Sequence, residues 1–230
     1  MACAIARAIH DRERVGIGVN SPIPAAGVLL AQRGHAPGLR FRLPGLEGGV
    51  PFVGSKEFFD FAQRGELDVF FLSGVQIDMS GRINLHVLGD YERPRRRFPG
   101  AFGSAVLYPA VRRVILFRTE HSPRVFVPRV DFVTAAGTPY RVVTSRAVLG
   151  FDNLARRLVL HSYHPGESVE SVRAATGFEL PDAVDVGETP APTADELRLL
   201  RDDVYPLLER VYPRFVDQMR SAAVTDRAPP

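Results

Sequence analysis

Residues 67–103 constrain the fold more than any other part of the chain, because a buried strand is followed there by a tight hairpin. Residues 67–72 form a short, continuous apolar run that Ser73 and Gly74 end, which is typical of a strand buried on both faces in a parallel sheet. Residues 75–78 and 82–85 then alternate between apolar and polar side chains on either side of 79–81. This pattern predicts a hairpin in which Gly81 takes the positive-φ position.

Strand and helix patterns alternate through roughly the first half of the chain. The sequence predicts strands at 15–19, 39–43, 67–72 and 113–118, and helices at 23–32, 55–63 and 104–111. Ser21 and Ser55 are the expected caps of the first two helices. Strand patterns return at 140–151 and 157–161, after a segment at 125–134 that Pro128 interrupts. We therefore expect an α/β fold with a mostly parallel central sheet flanked by helices, and antiparallel additions in the second half.

A glycine-rich turn, residues 99–103, stands directly before the predicted helix at 104–111. Gly100 and Gly103 would leave backbone N–H groups uncovered at the start of that helix, which suits an anion or a developing oxyanion. A turn of this kind is by itself weak evidence for a binding site. Gln76, Asp78 and Asn84 fit structural hydrogen bonds around the hairpin.

Several motifs occur in one order along the chain, and together they carry a resemblance. They are the hairpin GVQID-MSGRIN at 74–84, GDYERP at 89–94, PGAFG at 99–103, RVFVPRVDFVTAAG at 124–137 and HPGESVESV with TGF between 164 and 178. In this order they resemble the β subunit of class I CoA-transferases, most closely the glutaconate CoA-transferase branch, which includes the β subunits of steroid ring-opening CoA hydrolases. The resemblance covers roughly residues 15–180.

The resemblance implies a set of expectations about ligand, site and partner. Coenzyme A would be handled as an acyl-CoA substrate, without a metal. The residues that correspond to the family's oxyanion and CoA-binding segments are Gly74, Gln76, Gly100, Ala101, Phe102 and Gly103. The chain would be the β-like subunit of an enzyme that also needs an α-like subunit of similar fold, as an α2β2 heterotetramer.

Glu47 is the expected catalytic residue. In the family that this chain resembles, a glutamate in a short glycine-containing motif attacks the acyl-CoA thioester and becomes a glutamyl-CoA thioester. A carboxylate nucleophile needs partial desolvation and backbone donors, and Gly48 and Gly49 would let two backbones approach closely. An ungapped count from residues 35–37 places Pro44 at the glutamate's position instead, so a solvated loop residue is the alternative interpretation. Glu57 and Glu66 are weaker candidates.

Three hypotheses about function remain at this point. The first is a subunit of a CoA-transferase that moves CoA between carboxylic acids. The second is a subunit of an acyl-CoA ring-opening hydrolase of the steroid-degradation type, and the third is a scaffold subunit without catalysis. The sequence does not identify the acyl group.

Composition excludes several other classes. Lys56 is the only lysine among 29 cationic residues, and the arginines are spread along the chain instead of lying on one stripe, so we expect no nucleic-acid partner. His35, His86, His121, His161 and His164 lack metal-ligand spacing. The single cysteine, Cys3, is compatible with a reducing cytoplasm, and no apolar run is long enough for a membrane span. We expect a soluble, cytoplasmic protein.

The domain boundaries follow from proline content and helical spacing. Residues 1–187 would form the CoA-transferase β-like domain and 188–192 a linker. Thr193 and Glu196 form a capping-box pair at the start of a helical extension, 193–222, in which Pro206 and Pro213 should kink or break the helix. Residues 223–230 would be a disordered tail.

Overall fold

The computed structural model of the protein describes residues 1–46 and 54–225. Its strands are, in chain order, β1 (Arg14–Gly16), β2 (Arg40–Arg42), β3 (Val69–Leu72), β4 (Gln76–Asp78), β5 (Ile83–Asn84), β6 (Val87–Leu88), β7 (Arg96–Arg97), β8 (Arg113–Arg118), β9 (Phe126–Val127), β10 (Pro139–Thr144), β11 (Ala147–Asp152), β12 (Arg157–Tyr163) and β13 (Asp182–Glu188).

The helices alternate with these strands in the first half of the chain and dominate its end. They are α1 (Ala2–Arg7), α2 (Pro22–Arg33), α3 (Ser55–Gln63), α4 (Ser104–Ala110), α5 (Val169–Ala174), α6 (Ala194–Leu199), α7 (Tyr205–Leu208) and α8 (Pro213–Thr225), with a π-helical turn at Leu200–Val204. In residues 1–46 and 54–225, no helix is both long and apolar enough to cross a membrane.

One compact unit comprises Met1–Val50 and Pro192–Pro230. In it β1 and β2 pair in parallel, with Val15 opposite Phe41. Helix α2 begins at Pro22, as predicted, because the fixed φ of proline suits the first helical position. Arg7 holds the carboxylate of Glu196 through two hydrogen bonds, at 2.8 and 2.6 Å, and thereby joins α1 to α6.

The C-terminal helices confirm two predictions from the sequence. Thr193 and Glu196 form the expected capping box. Directly before Pro206, the N–H of Tyr205 donates to the carbonyl of Leu200, five residues back. Proline lacks an N–H and crowds the preceding turn, so the helix widens into a π-turn there before α7 continues it. The helix then breaks after α7, and α8 begins at Pro213.

The second compact unit comprises Pro51–Ala191. Its sheet has the strand order β13-β12-β11-β10-β8-β3. The pairs β3–β8, β8–β10 and β12–β13 are parallel, whereas β10–β11 and β11–β12 are antiparallel. The prediction of a mostly parallel sheet with antiparallel additions in the second half is therefore confirmed. All four residues of β3 are buried, as its continuous apolar run predicted.

Two local expectations were wrong. Gly54, not Ser55, is the residue that caps α3, and it does so without a side-chain hydrogen bond. The strand β13 was missed, because most of its residues are exposed and its polar sequence lacks the apolar alternation of a half-buried strand. The domain boundaries at 187, 192 and 222 stay a prediction.

Candidate functional site

Strands β3 and β8 are parallel and end at the same edge of the sheet. The candidate site residues Gly74 and Gln76 come shortly after β3. Leu72, the last residue of β3, lies opposite Leu116 of β8. The hydroxyl of Ser73 donates to the carbonyl of Phe117 at 2.7 Å. At Gly74 a Cβ would lie 2.6 Å from the carbonyl oxygen of Gln76, so only glycine lets the chain turn into the hairpin here.

The side chain of Gln76 ties the hairpin to a distant segment of the chain. It is buried, and its Oε1 accepts hydrogen bonds from Asn84 Nδ2 at 2.8 Å and from the N–H of Asp131 at 3.0 Å. Asn84 Oδ1 in turn accepts the N–H groups of His86 and Val87. The structural roles expected for Gln76 and Asn84 are thus observed.

Asp78 is a fully buried carboxylate at the end of β4. Its Oδ1 accepts the N–H of Ser80 at 3.0 Å and that of Arg82 at 3.1 Å, and its Oδ2 accepts Arg82 Nε at 2.7 Å. Gly81 between them has a φ of 75°, as the hairpin pattern predicted. A buried charge is tolerated only when it is paired and hydrogen-bonded, and here it fixes the shape of the turn.

The glycine-rich turn, residues 100–103, stands directly before α4. Gly103 has a φ of 65°, and a Cβ there would overlap the ring of Phe59. The first helical N–H, that of Ser104, donates to the carbonyl of Ala101 at 2.7 Å. Among the residues that the structure describes, the N–H groups of Ala101, Phe102 and Gly103 have no hydrogen-bond acceptor. Gly103 is also the N-cap of α4, so these free donors lie at the start of that helix.

Phe102 connects this turn to the core through a chain of aromatic rings. Its side chain is 72% exposed, and its ring centroid lies 5.5 Å from that of Phe59. The rings of Phe59 and Phe58 are 5.8 Å apart, and those of Phe58 and Phe70 are 5.6 Å apart. Phe70 belongs to β3, so the ring chain anchors the turn to the central sheet.

His86 lies next to the glycine-rich turn, which the sequence analysis did not anticipate. Its Nδ1 is 2.7 Å from Thr134 Oγ1, and its ring packs edge-on against Phe132 at 5.1 Å. A Cβ at Gly100 would lie 3.5 Å from His86 Nε2. Spacing could not reveal this arrangement, because Thr134 is 48 positions away in the sequence.

The glutamates expected as nucleophiles can be placed only in part. Glu47 lies outside the described residues. Glu57 is exposed on α3, where its carboxylate lies close to Gly54, and Glu66 is half-buried after the end of that helix.

Two further kinds of chemical group bear on the predictions, namely clusters of metal-ligating side chains and the thiol of Cys3. In residues 1–46 and 54–225, no three His, Cys, Asp or Glu side chains are grouped so that they could hold a metal ion. Cys3 is buried, and this burial raises the pKa of its thiol, so the thiolate is disfavoured.

Comparison with known proteins identifies the family. A family model described as Coenzyme A transferase matches residues 47–175. The chain belongs to the coenzyme A transferase family. The resemblance inferred from the order of the motifs is thereby confirmed.

Relatives within the family include more than one kind of enzyme. The B-type subunit of glutaconate CoA-transferase from Acidaminococcus fermentans is 30% identical over 174 residues, which is 68% of this chain and 64% of the relative. The IpdB subunit of the cholesterol ring-cleaving hydrolase from Rhodococcus jostii is 30% identical over 178 residues, 70% of this chain and 67% of the relative. The aligned part of the chain thus spans less than two thirds of the first relative's length.

Two solved structures are similar to this chain in fold. The crystal structure of the Acidaminococcus fermentans glutaconate CoA-transferase superposes with a TM-score of 0.80 at 26% identity, covering 91% of this chain and 95% of the other. The decarboxylase AibA/AibB superposes with a TM-score of 0.79 at 27% identity, covering 87% and 91%. The chain is a β-subunit-like member of a family whose substrates are CoA thioesters.

Proposed function

We propose that the chain is the β-like subunit of a heteromeric enzyme that moves CoA between carboxylic acids, with Glu47 as the nucleophile. The observation that carries the proposal is the turn at 100–103, where the N–H groups of three consecutive residues have no acceptor within the described chain. Donors held ready in this way suit the oxyanion of a tetrahedral intermediate better than a neutral carbonyl. The family match also begins at residue 47.

The proposed reaction passes through two covalent intermediates at the Glu47 carboxylate, first a mixed anhydride and then a thioester. Glu47 attacks the thioester carbonyl of the donor acyl-CoA, and the CoA thiolate leaves to give a mixed anhydride. The thiolate then attacks the glutamyl carbonyl, which releases the donor acid and forms the glutamyl-CoA thioester. The acceptor carboxylate repeats both steps in reverse, so that a new acyl-CoA leaves and the Glu47 carboxylate is restored.

Within this proposal the site residues have different tasks. Ala101, Phe102 and Gly103 would donate N–H groups to the oxyanions, and Gly100 would let the turn pass close to His86. Gly74 and Gln76 would act as positioning residues, because Gly74 packs against the hairpin backbone and the Gln76 Oε1 is already engaged inside the fold.

The nucleophile is tested by trapping the intermediate. The chain, reconstituted with its α-like partner, is incubated with an acyl-CoA and no acceptor, and the intact mass of each subunit is measured. We expect a CoA adduct on this chain that borohydride removes. Glu47→Gln should abolish the adduct, because an amide cannot form the thioester. Glu47→Asp should retain little, since a misplacement of roughly 1 Å can cost about a hundredfold.

Glu57→Gln is the matched control, because Glu57 is an exposed glutamate on the neighbouring α3. This variant should form the adduct at the wild-type level. An adduct that survives Glu47→Gln would contradict the assignment. An active monomer of this chain alone would contradict the need for an α-like partner, which we propose as part of an α2β2 assembly.

A ring-opening hydrolase is the second candidate function. The observation that favours it is the IpdB relative, whose 30% identity equals that of the glutaconate CoA-transferase relative. Hydrolysis or ring opening of an acyl-CoA without any adduct on Glu47 would support this candidate, and the base would then be sought in the partner subunit. A complex that forms neither adduct nor product would support a scaffold subunit.

A further inference from the structure

A small basic cavity lies beside the hairpin in the unit formed by residues 51–191. Its volume is about 210 Å³. Its polar lining consists of Arg96, Arg118, Arg124 and Glu120, and the rest is apolar, including Val75 and Val125. Of the four arginines between 93 and 97, only Arg96 lines the cavity. The two other arginines of the cavity are Arg118, from β8, and Arg124, from the loop that follows β8.

The charges of the cavity favour an anion. Glu120 accepts hydrogen bonds from Arg124 at 2.7 Å and from the hydroxyl of Ser122 at 2.8 Å, and Arg118 lies 3.7 Å from its other oxygen. The hydrogen bond from Arg124 is the main reason that the pKa of Glu120 is lowered, so the carboxylate stays ionised at neutral pH. One negative charge therefore faces three guanidinium groups, and the lining keeps an excess of two positive charges.

Arg118 lines the cavity and is held there by a partly buried side chain. Its side chain is only 30% exposed, and its Nε is buried without a hydrogen-bond partner among the described residues. Leaving a buried charged donor without an acceptor is costly, so such groups in native proteins usually have a partner. Because the Nε itself has no accessible surface, a ligand in the cavity would bind the terminal nitrogens of the Arg118 guanidinium.

The location and size of the cavity narrow the choice of ligand. Arg118 is the last residue of β8, and parallel α/β sheets bind ligands beyond the carboxyl ends of their strands. Pockets that bury a whole drug-sized ligand measure roughly 300–1,000 Å³, so this cavity holds one group of a larger molecule. Two excess positive charges match a phosphate better than a singly charged carboxylate, and guanidinium groups bind phosphate through paired hydrogen bonds.

We propose that this cavity binds a phosphate group of CoA, with the half-buried Arg118 as the anchor and Arg96 and Arg124 at the rim. The inference rests on the proposed function, because CoA is the phosphate-bearing substrate that it supplies. The 3′-phosphate and the diphosphate bridge share this chemistry.

The test measures dissociation constants for CoA and for 3′-dephospho-CoA by calorimetry on the reconstituted complex. Arg118→Met should weaken CoA binding by about tenfold to a hundredfold, which is the usual effect of losing a hydrogen bond to a charged group. Arg93→Met is the matched control, because Arg93 is an exposed arginine of the same loop that does not line the cavity. It should change binding by less than about twofold. Thermal unfolding of both variants checks that they fold. If Arg118→Met does not fold, Arg96→Met tests the same cavity.

The possible outcomes test the proposal about the cavity separately from the proposal that Glu47 is the nucleophile. If Arg118→Met weakens CoA but not 3′-dephospho-CoA, the cavity holds the 3′-phosphate; equal weakening of both assigns it to the diphosphate. Unchanged CoA binding in Arg118→Met, or an equal loss in Arg93→Met, overturns the proposal. Adduct formation on Glu47 in a variant with unchanged affinity would overturn the cavity while leaving the proposed function intact, whereas a wild-type complex that binds no CoA would overturn both.

Discussion

The hairpin at 76–84 and the glycine-rich turn at 100–103 use their backbone N–H groups in opposite ways. In the hairpin, Asp78 alone accepts the N–H groups of two residues and the Nε of Arg82. In the turn, the N–H groups of Ala101, Phe102 and Gly103 have no acceptor in the described chain. The hairpin uses its donors for its own shape, whereas the donors of the turn are free within the described chain.

The comparison suggests how a stable fold can hold a set of unused donors. The turn accepts hydrogen bonds at the carbonyls of Ala101 and Gly103 but uses none of its three free N–H groups, so side chains that pack from outside also help to hold its position. Phe102 and Gly103 both contact the ring of Phe59, which continues the ring chain to β3. Preorganised donors of this kind cost no rearrangement when charge develops during a reaction.

Removing the carboxylate of Asp78 should destabilise the hairpin, and this substitution has the largest expected effect on the free energy of unfolding. Asp78 is fully buried, and Asp78→Ala leaves the Arg82 Nε and the N–H groups of Ser80, Arg82 and Val130 without their acceptor. Breaking a buried ion pair by removing one partner typically costs about 3–5 kcal/mol. We expect a loss of that size in the free energy of unfolding, measured in urea.

Asp185→Ala provides the control, because Asp185 is exposed on β13. Its effect on the unfolding free energy should stay within about 0.5 kcal/mol. Equal effects of the two substitutions would mean that the hairpin does not depend on its buried carboxylate.

A second buried polar cluster sharpens the comparison, because its centre is a neutral ring instead of a charge. His121 Nδ1 and Nε2 lie 2.8 and 3.0 Å from the hydroxyls of Thr144 and Thr176. Burial, with a smaller contribution from Arg146, lowers the pKa of His121 to about 4 from an ordinary value of 6.5. The ring is therefore neutral in the folded protein at neutral pH, so only one of its two nitrogens carries an N–H that can donate to a threonine hydroxyl.

The sign of the pH dependence follows from these two pKa values. Between about pH 4 and pH 6.5 the unfolded chain binds a proton that the folded chain refuses, so the stability from His121 is complete above the upper value and is lost as the pH falls. We expect the unfolding free energy to drop by about 2–3 kcal/mol more in the wild type than in His121→Gln between about pH 7.5 and pH 4.5. Urea unfolding at both pH values measures this difference.

The variant His121→Gln keeps groups that can bond both threonines but cannot titrate. Glu167 and His164 also face this cluster. Because the wild type and His121→Gln both contain them, the difference between the two proteins isolates the contribution of His121. Identical losses in both proteins would show that the acid sensitivity comes from elsewhere.

The glycine-rich turn is tested by Gly103→Ala, with Gly65→Ala as its matched control. Both glycines have a positive φ, 65° at Gly103 and 71° at Gly65, but only Gly103 has a side chain within reach of the added Cβ. Adding a methyl group in the left-handed region costs roughly 1–2 kcal/mol at each site. The contact with Phe59 should add about 1 kcal/mol or more at Gly103.

The same pair separates stability from turnover. Gly103→Ala should lower the turnover of the reconstituted complex more than Gly65→Ala does, since it moves the unused donors. Equal turnover in the two variants would count against the turn as an oxyanion site.

Much of the fold could be predicted because its signals are local. The buried run of β3, the Gly81 turn and the capping box at Thr193 each involve only a few consecutive residues, and all three occur as expected. Strand β13 could not be predicted in this way. Its polar, exposed residues become a strand through pairing with β12, and such pairing leaves no local pattern.

The sequence by itself determined the α/β class, the hairpin, the glycine-rich turn and, through the order of its motifs, the coenzyme A transferase family. Only the tertiary structure decided which donors are used and which stay free, that His86 meets Thr134 across 48 positions, and that Arg96 and Arg118 share one cavity. Periodicity and turn chemistry are written in neighbouring residues, whereas contacts between distant segments depend on how the strands are ordered in the sheet.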